Sequence, residues 1–125
     1  MKKIKTFEDA CLALGISNDI PDFSNTPEKH KKAFIAYYKL VIINQALNKE
    51  WEPNWEDWNE HKYFPWFDFN KGSDRSSGFG FSCRDWAGSD AFATVGSRLC
   101  FKSSALAEYA GKQFLELYKD YFVIA

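Results

Sequence analysis

Few residues in this chain could do covalent chemistry: His30 and His61, and the cysteines Cys11, Cys83 and Cys100. A nucleophilic mechanism needs a thiol or hydroxyl beside a base that a third group orients. His61, with Asp57 and Glu60 close in sequence, is the base that could serve Cys83 on a neighbouring strand. Spacing alone neither orients that pair nor supplies an oxyanion site. His30 falls among Glu28, Lys29, Lys31 and Lys32, the surroundings of a solvated helical turn. Glu50, Glu52, Glu56, Asp57 and Glu60 form an acidic run without a basic residue. Such a run could ligate a hard cation or supply an acid–base pair of the sugar-cleaving kind. It lacks calcium-loop spacing, so a solvated acidic face is the simpler reading, with carbohydrate stacking on the nearby tryptophans kept beside it. Gly78 and Gly80 give only G-F-G, with no Lys-Ser/Thr and no following helix, which does not make a phosphate cradle. The cysteines are odd in number and lack C-x-x-C spacing, the pattern of small buried hydrophobes in a reducing cytoplasm. Neither a catalytic centre nor a metal site is expected, and no cofactor.

Binding chemistry is better supplied. Between Trp51 and Trp86 stand eleven aromatic residues in thirty-six positions, including all five tryptophans, and the three arginines lie at or just beyond that stretch. So much ring area predicts that some rings stay at the surface, where rigid apolar faces mark contact. Strand alternation puts Phe64 and Trp66, Arg84 and Trp86, and Arg98 and Lys102 in one phase of three successive runs. If these six share an exposed face, they form an aromatic and cationic surface for a protein partner, since Trp, Tyr and Arg favour contact centres. The alternative is single-stranded nucleic acid, held by ring stacking and phosphate contacts. A sheet covered on both faces would bury the same residues.

The elements that must carry these residues begin with a short helix, capped by Thr6 with Asp9, lined by Phe7, Ala10, Cys11 and Leu14, and ended by Gly15. A connection pinned by Ile20 and Phe23 leads to Thr26 and Pro27, which open a long helix running to about Lys49. Its two apolar stripes, Ala33, Tyr37, Leu40 and Leu47 beside Phe34, Tyr38, Val41 and Ile42, predict a central helix, nearly surrounded and packed on a sheet. Pro53 and Asn54 break it. Trp51, Trp55 and Trp58 would share a face if a helical turn resumed there. Three strands are predicted next: 62–70, irregular or at an edge because of Pro65; 78–86 after the polar loop 71–77; and a third that turns Leu99 and Phe101 inward. A final amphipathic helix from Ser103 or Ser104 sets Leu106, Ala110, Phe114, Leu117 and Tyr121 on one face, with Lys112 and Glu116 placed to pair. The tail from Phe122 is apolar and expected to dock on the body.

These elements predict one α+β domain over residues 1–125, a three-stranded antiparallel β-meander packed against helices in the order α-α-β-β-β-α. Sixteen basic against seventeen acidic residues leave a net charge of −1, against the global basicity of a protein held chiefly by phosphates. The amino terminus lacks the apolar stretch of a signal peptide, and the longest apolar run, 33–43, is broken by Lys39 and too short for a membrane span. A cytoplasmic, membrane-free protein is the expectation. The stretches WEPNW, KYFPWF, GSRLCFKS and LAEYAGKQFLELYKDYF together resemble a family of short proteins of gut bacteria, their phages and mobile elements that has no assigned function. The resemblance runs over nearly the whole chain. It implies a compact α+β unit of intracellular, phage-related origin and brings no active residue with it.

Overall fold

The computed structural model describes residues 4–57, 59–68, 82–89 and 95–124. Thr6 caps α1 (Phe7–Leu14) by accepting the Asp9 N–H at 3.0 Å, and the Asp9 carboxylate accepts the Lys5 N–H at 3.0 Å. At the other end Gly15 takes φ 70°, a left-handed value open to glycine at no steric cost, and lets the Ile16 N–H close on the Cys11 carbonyl at 3.0 Å. Phe7, Ala10 and Cys11 point inward, as the spacing predicts.

Pro27 precedes α2 (Glu28–Asn48) directly; the Thr26 hydroxyl turns back to donate to the Phe23 carbonyl instead of capping the helix. α2 is central, packed on α1 and on the last helix. It is not surrounded along its length. Leu40, Ile43, Asn44, Ala46, Leu47 and Asn48 are buried, whereas Phe34 and Tyr37 in the first half stay exposed. The reason lies in partner lengths, because two eight-residue helices cannot cover twenty-one residues on every side.

The expected three-stranded meander, and with it the α+β order α-α-β-β-β-α, is overturned. Among the described residues there are four helices and a single antiparallel pair, β1 (Lys62–Asp68) with β2 (Ser82–Ser89). Lys62 stands opposite Ser89 and Asp68 opposite Ser82, with a register irregularity between Trp66 and Phe67, one residue past Pro65. The third run forms a 3-10 turn, Ser97–Leu99, entered through Gly96 at φ 78°. Among the described residues only Phe101 then pairs, and it pairs with β1: Tyr63 and Phe101 exchange both backbone bonds, at 3.0 and 2.6 Å. On the opposite side of that short extended stretch, the Asn48 side-chain amide donates to the Cys100 carbonyl at 2.8 Å and accepts the Lys102 N–H at 3.1 Å. A side chain thus fills the place of a neighbouring strand, and no further ladder is needed to satisfy those groups. Leu99, Cys100 and Phe101 are all buried, which removes the alternation expected there.

The last amphipathic stretch is two helices, α3 (Ser104–Gln113), capped by the Ser103 hydroxyl, and α4 (Leu115–Phe122). Phe114 between them leaves helical geometry at φ −111°, ψ 34°, and its ring packs edge-on against Tyr109. The break swings Tyr118 into the core beside Leu106, Ala107 and Ala110. Lys112 pairs with Glu108 at 2.8 Å, the favoured orientation with the acid N-terminal, in place of the expected Glu116 partner. The hairpin packs on α3. No helix among the described residues is long and apolar enough to cross a membrane.

Candidate functional site

Of the six residues expected to form one outward patch, the four whose side chains are described differ in burial and in the element that carries them. Phe64 is 6 % exposed while Trp66, two residues on, is 49 % exposed, their ring centroids 6.5 Å apart. Arg98 on the 3-10 turn and Lys102 beyond the Phe101 bridge are both exposed, on a segment that does not continue the sheet. Arg84 and Trp86 lie on β2, where Trp86 stands opposite Pro65, and their side chains fall outside the described residues. The Cys83 thiol is outside them too, as are Trp58, the loop 71–77, Gly78 and Gly80. His61 is exposed and stacks on Tyr63 at 5.9 Å.

The acidic run is structural at its far end. Glu60 accepts the Trp51 indole N–H at 3.2 Å and the Asn54 N–H at 2.7 Å, tying the segment into a loop in place of the resumed helix. Lys62, 0 % exposed, inserts beneath this loop: its ammonium donates to the Asp57 carbonyl at 3.0 Å, lies 3.4 Å from Glu60 and sits 5.2 Å from the Trp55 ring centroid. Trp55 in turn donates its indole N–H to the Ser97 hydroxyl at 2.7 Å. Two tryptophans from the dense aromatic stretch are therefore half-buried wall pieces, fixed by the polar ends of their rings.

Between this loop, the end of α2 and the 3-10 turn opens a cleft of about 720 Å³. Val41, Asn44, Gln45 and Asn48 form one wall, Lys49, Glu50, Trp51, Glu52 and Pro53 a second, and Ser97 with Arg98 a third. Lys49 holds φ 60°, ψ −120°, a conformation that strains a residue with a Cβ by about 1–3 kcal/mol. It is kept there by the turn in which the Trp51 N–H returns to the Asn48 carbonyl at 3.2 Å. Asn44 donates through Nδ2 to the Leu40 carbonyl at 2.8 Å, and its Oδ1 has no partner. Asn44, Asn48 and Lys62 were absent from the sequence reading. The signal available was two amides four residues apart inside an otherwise apolar helix face, since buried polar groups are kept for the bonds they make.

Burial, the largest cause, pushes the Cys100 thiol from 9.0 to about 11; Glu60 adds to the rise, while a backbone bond and Lys62 oppose it. The folded chain therefore holds this thiol protonated where the unfolded chain would ionise it, and Cys100 contributes stability that is lost as pH rises from 9.0 toward about 11. We expect iodoacetamide at pH 8 to spare Cys100 in the folded chain and to label it once urea unfolds the protein, read by peptide mass spectrometry. Equal labelling rates in both states would contradict the burial.

A second exposed apolar feature lies on the first half of α2. His30, Phe34, Tyr37 and Val41 recur at helical spacing, and Phe34 and Tyr37 are 41 % and 37 % exposed. Tyr37 stacks on Tyr121 at 5.5 Å, Tyr121 meets Phe122 at 5.0 Å, and Phe122 meets Phe67 of β1 at 5.7 Å. Phe23 closes the other end against Phe34 at 6.1 Å. No family model, curated protein or solved structure matches this chain.

Proposed function

We propose that this chain is a non-enzymatic interaction module that docks a protein partner on the aromatic stripe of α2 and α4. The observation that carries the reading is two sets of ring contacts one helical turn apart on α2, Phe23 with Phe34 and Tyr37 with Tyr121 and Phe122, with Phe34, Tyr37 and Phe122 exposed. Rings already held by neighbours lose little conformational freedom on binding, which is what makes such residues strong anchors. Lys29 and Lys32 flank the stripe in the first turns of α2, and Lys32 reaches Asp120 only at 3.8 Å. The partner segment that fits is apolar with acidic residues at its edge. A phage or mobile-element origin, which the sequence resemblance implies, belongs to the same reading.

A photo-crosslinking residue at Tyr37, expressed in the native cell, tests it. The expected result is one dominant adduct, at least about tenfold reduced by Phe34→Ala or Phe122→Ala with the circular dichroism unchanged. An adduct of equal yield in both variants removes the stripe as the docking surface.

The alternative reading, single-stranded nucleic acid, draws on the exposure of Trp66, Arg98 and Lys102. It requires salt-sensitive quenching of tryptophan fluorescence by a mixed oligonucleotide, lost in Arg98→Ala. No response at low salt eliminates it.

A further inference from the structure

We propose that the cleft at the C-terminal end of α2 binds a small zwitterion of the α-amino-acid class. This inference is independent of the docking stripe.

Three observations converge on it. The first is the unpartnered Oδ1 of Asn44, a residue 1 % exposed in the cleft wall. A buried acceptor without a donor carries a desolvation cost that a ligand N–H would remove. The second is charge of both signs around one cavity: Glu50 and Glu52 against Lys49 and Arg98. Among the described residues none of these four is within ion-pair distance of an opposite charge. The third is direction. The long helix α2 ends at the cleft and brings its carbonyl pole there, which favours a cation beside Asn44, Glu50 and Glu52. Arg98 stands across the cleft on the 3-10 turn, where a guanidinium suits a carboxylate through two parallel bonds.

A simple amine would leave Arg98 and Lys49 unanswered and bring a third positive charge among them. A simple carboxylate would face Glu50, Glu52 and the helix carbonyls. A ligand with an ammonium and a carboxylate a few ångströms apart answers both halves. The Trp51 ring, fixed through its indole N–H to Glu60 at 3.2 Å, adds an apolar wall for a side chain. Asn48 is a positioning residue: its amide donates to the Cys100 carbonyl and accepts the Lys102 N–H, which ties the α2 wall to the Arg98 segment.

The test uses the full chain with the twenty free α-amino acids at up to about 10 mM, a range that reaches the weak millimolar affinities of small polar ligands. Thermal unfolding and ligand-observed saturation-transfer NMR are the readouts, with butylamine and butyrate as single-charge probes. At least one amino acid should raise the melting temperature in a saturable way, as any ligand selective for the folded state must. Neither butylamine nor butyrate should match it. Arg98→Ala and Glu52→Gln, both at exposed positions, should each weaken that ligand by about tenfold or more, while Trp66→Ala leaves it unchanged. Asn44→Leu should abolish binding; because it alters a buried helix position, the two exposed variants decide the question if it fails to fold. No saturable response to any of the twenty overturns the proposal. So does a response that survives the Arg98→Ala, Glu52→Gln double variant, or butylamine binding as tightly as the best amino acid.

Discussion

Lys62→Ala is expected to lower the unfolding free energy by about 2–5 kcal/mol, the cost of truncating a long, fully buried side chain to a methyl group. The lysine is fully enclosed, and its ammonium joins the Asp57 carbonyl, the Glu60 carboxylate and the Trp55 ring. Truncation empties the space under the Trp51–Glu60 loop and removes one of the two donors to the Asp57 carbonyl, which keeps the Glu60 N–H at 3.2 Å. Lys62→Met separates charge from packing. It keeps most of the stem, and Glu60 still accepts from Trp51 and Asn54 and is 25 % exposed, so solvent and two N–H groups take up its charge. Methionine should therefore recover at least half of the loss. Urea midpoints with unchanged slopes give the comparison. Equal destabilisation by both variants would mean that the charge dominates; near-neutral values for both would mean that the loop does not depend on Lys62.

Asn48→Ala is expected to cost about 2–4 kcal/mol, because one buried and one part-buried backbone group lose their partners at once. The Cys100 carbonyl loses its donor and the Lys102 N–H its acceptor, with bonds of 2.8 and 3.1 Å removed. Asn48→Asp should cost as much in spite of its near-identical shape. Its carboxylate still accepts from Lys102 but turns an anion toward the Cys100 carbonyl. Hydrogen exchange at the Lys102 amide supplies a local reading: fast in Asn48→Ala, slower in Asn48→Asp. Protection retained in Asn48→Ala would show that this edge is satisfied by something else.

The helix signals in this chain were local and readable. Thr6, Asp9 and Gly15 delimit α1 by bonds within a turn or two, and Pro27 marks the start of α2. Alternation at Leu99 and Phe101 has the pattern of a third strand, while the deciding interactions come from Asn48, more than fifty residues earlier. Periodicity cannot register a side chain that substitutes for a ladder. The break at Phe114 was hidden in the same way, since the apolar face from Leu106 to Tyr121 reads as continuous at helical spacing on both sides of it. As for the site, the aromatic stretch was visible but its rings served different ends: Trp51 and Trp55 became walls, Phe64 was covered and Trp66 stayed out. Exposed rings gathered instead on α2 and α4, at Phe34, Tyr37 and Phe122, because short neighbouring helices leave that flank open. The cleft depended on Asn44, Trp51 and Arg98 meeting across half the chain, a proximity that only the fold creates.

The bonds that hold the N-terminal segment bear on how the protein is made. The Tyr109 hydroxyl donates to the Ile4 carbonyl at 2.6 Å and the Gln113 amide to the Lys5 carbonyl at 2.9 Å, closures across more than a hundred residues. During synthesis the ribosome releases α1 and α2 long before α3, so a nascent chain carries the apolar faces of its first two helices without the tether that fixes them. Chaperone dependence in the cell should accordingly track how quickly Tyr109 emerges from the exit tunnel, and a translational pause ahead of it would prolong that vulnerable interval.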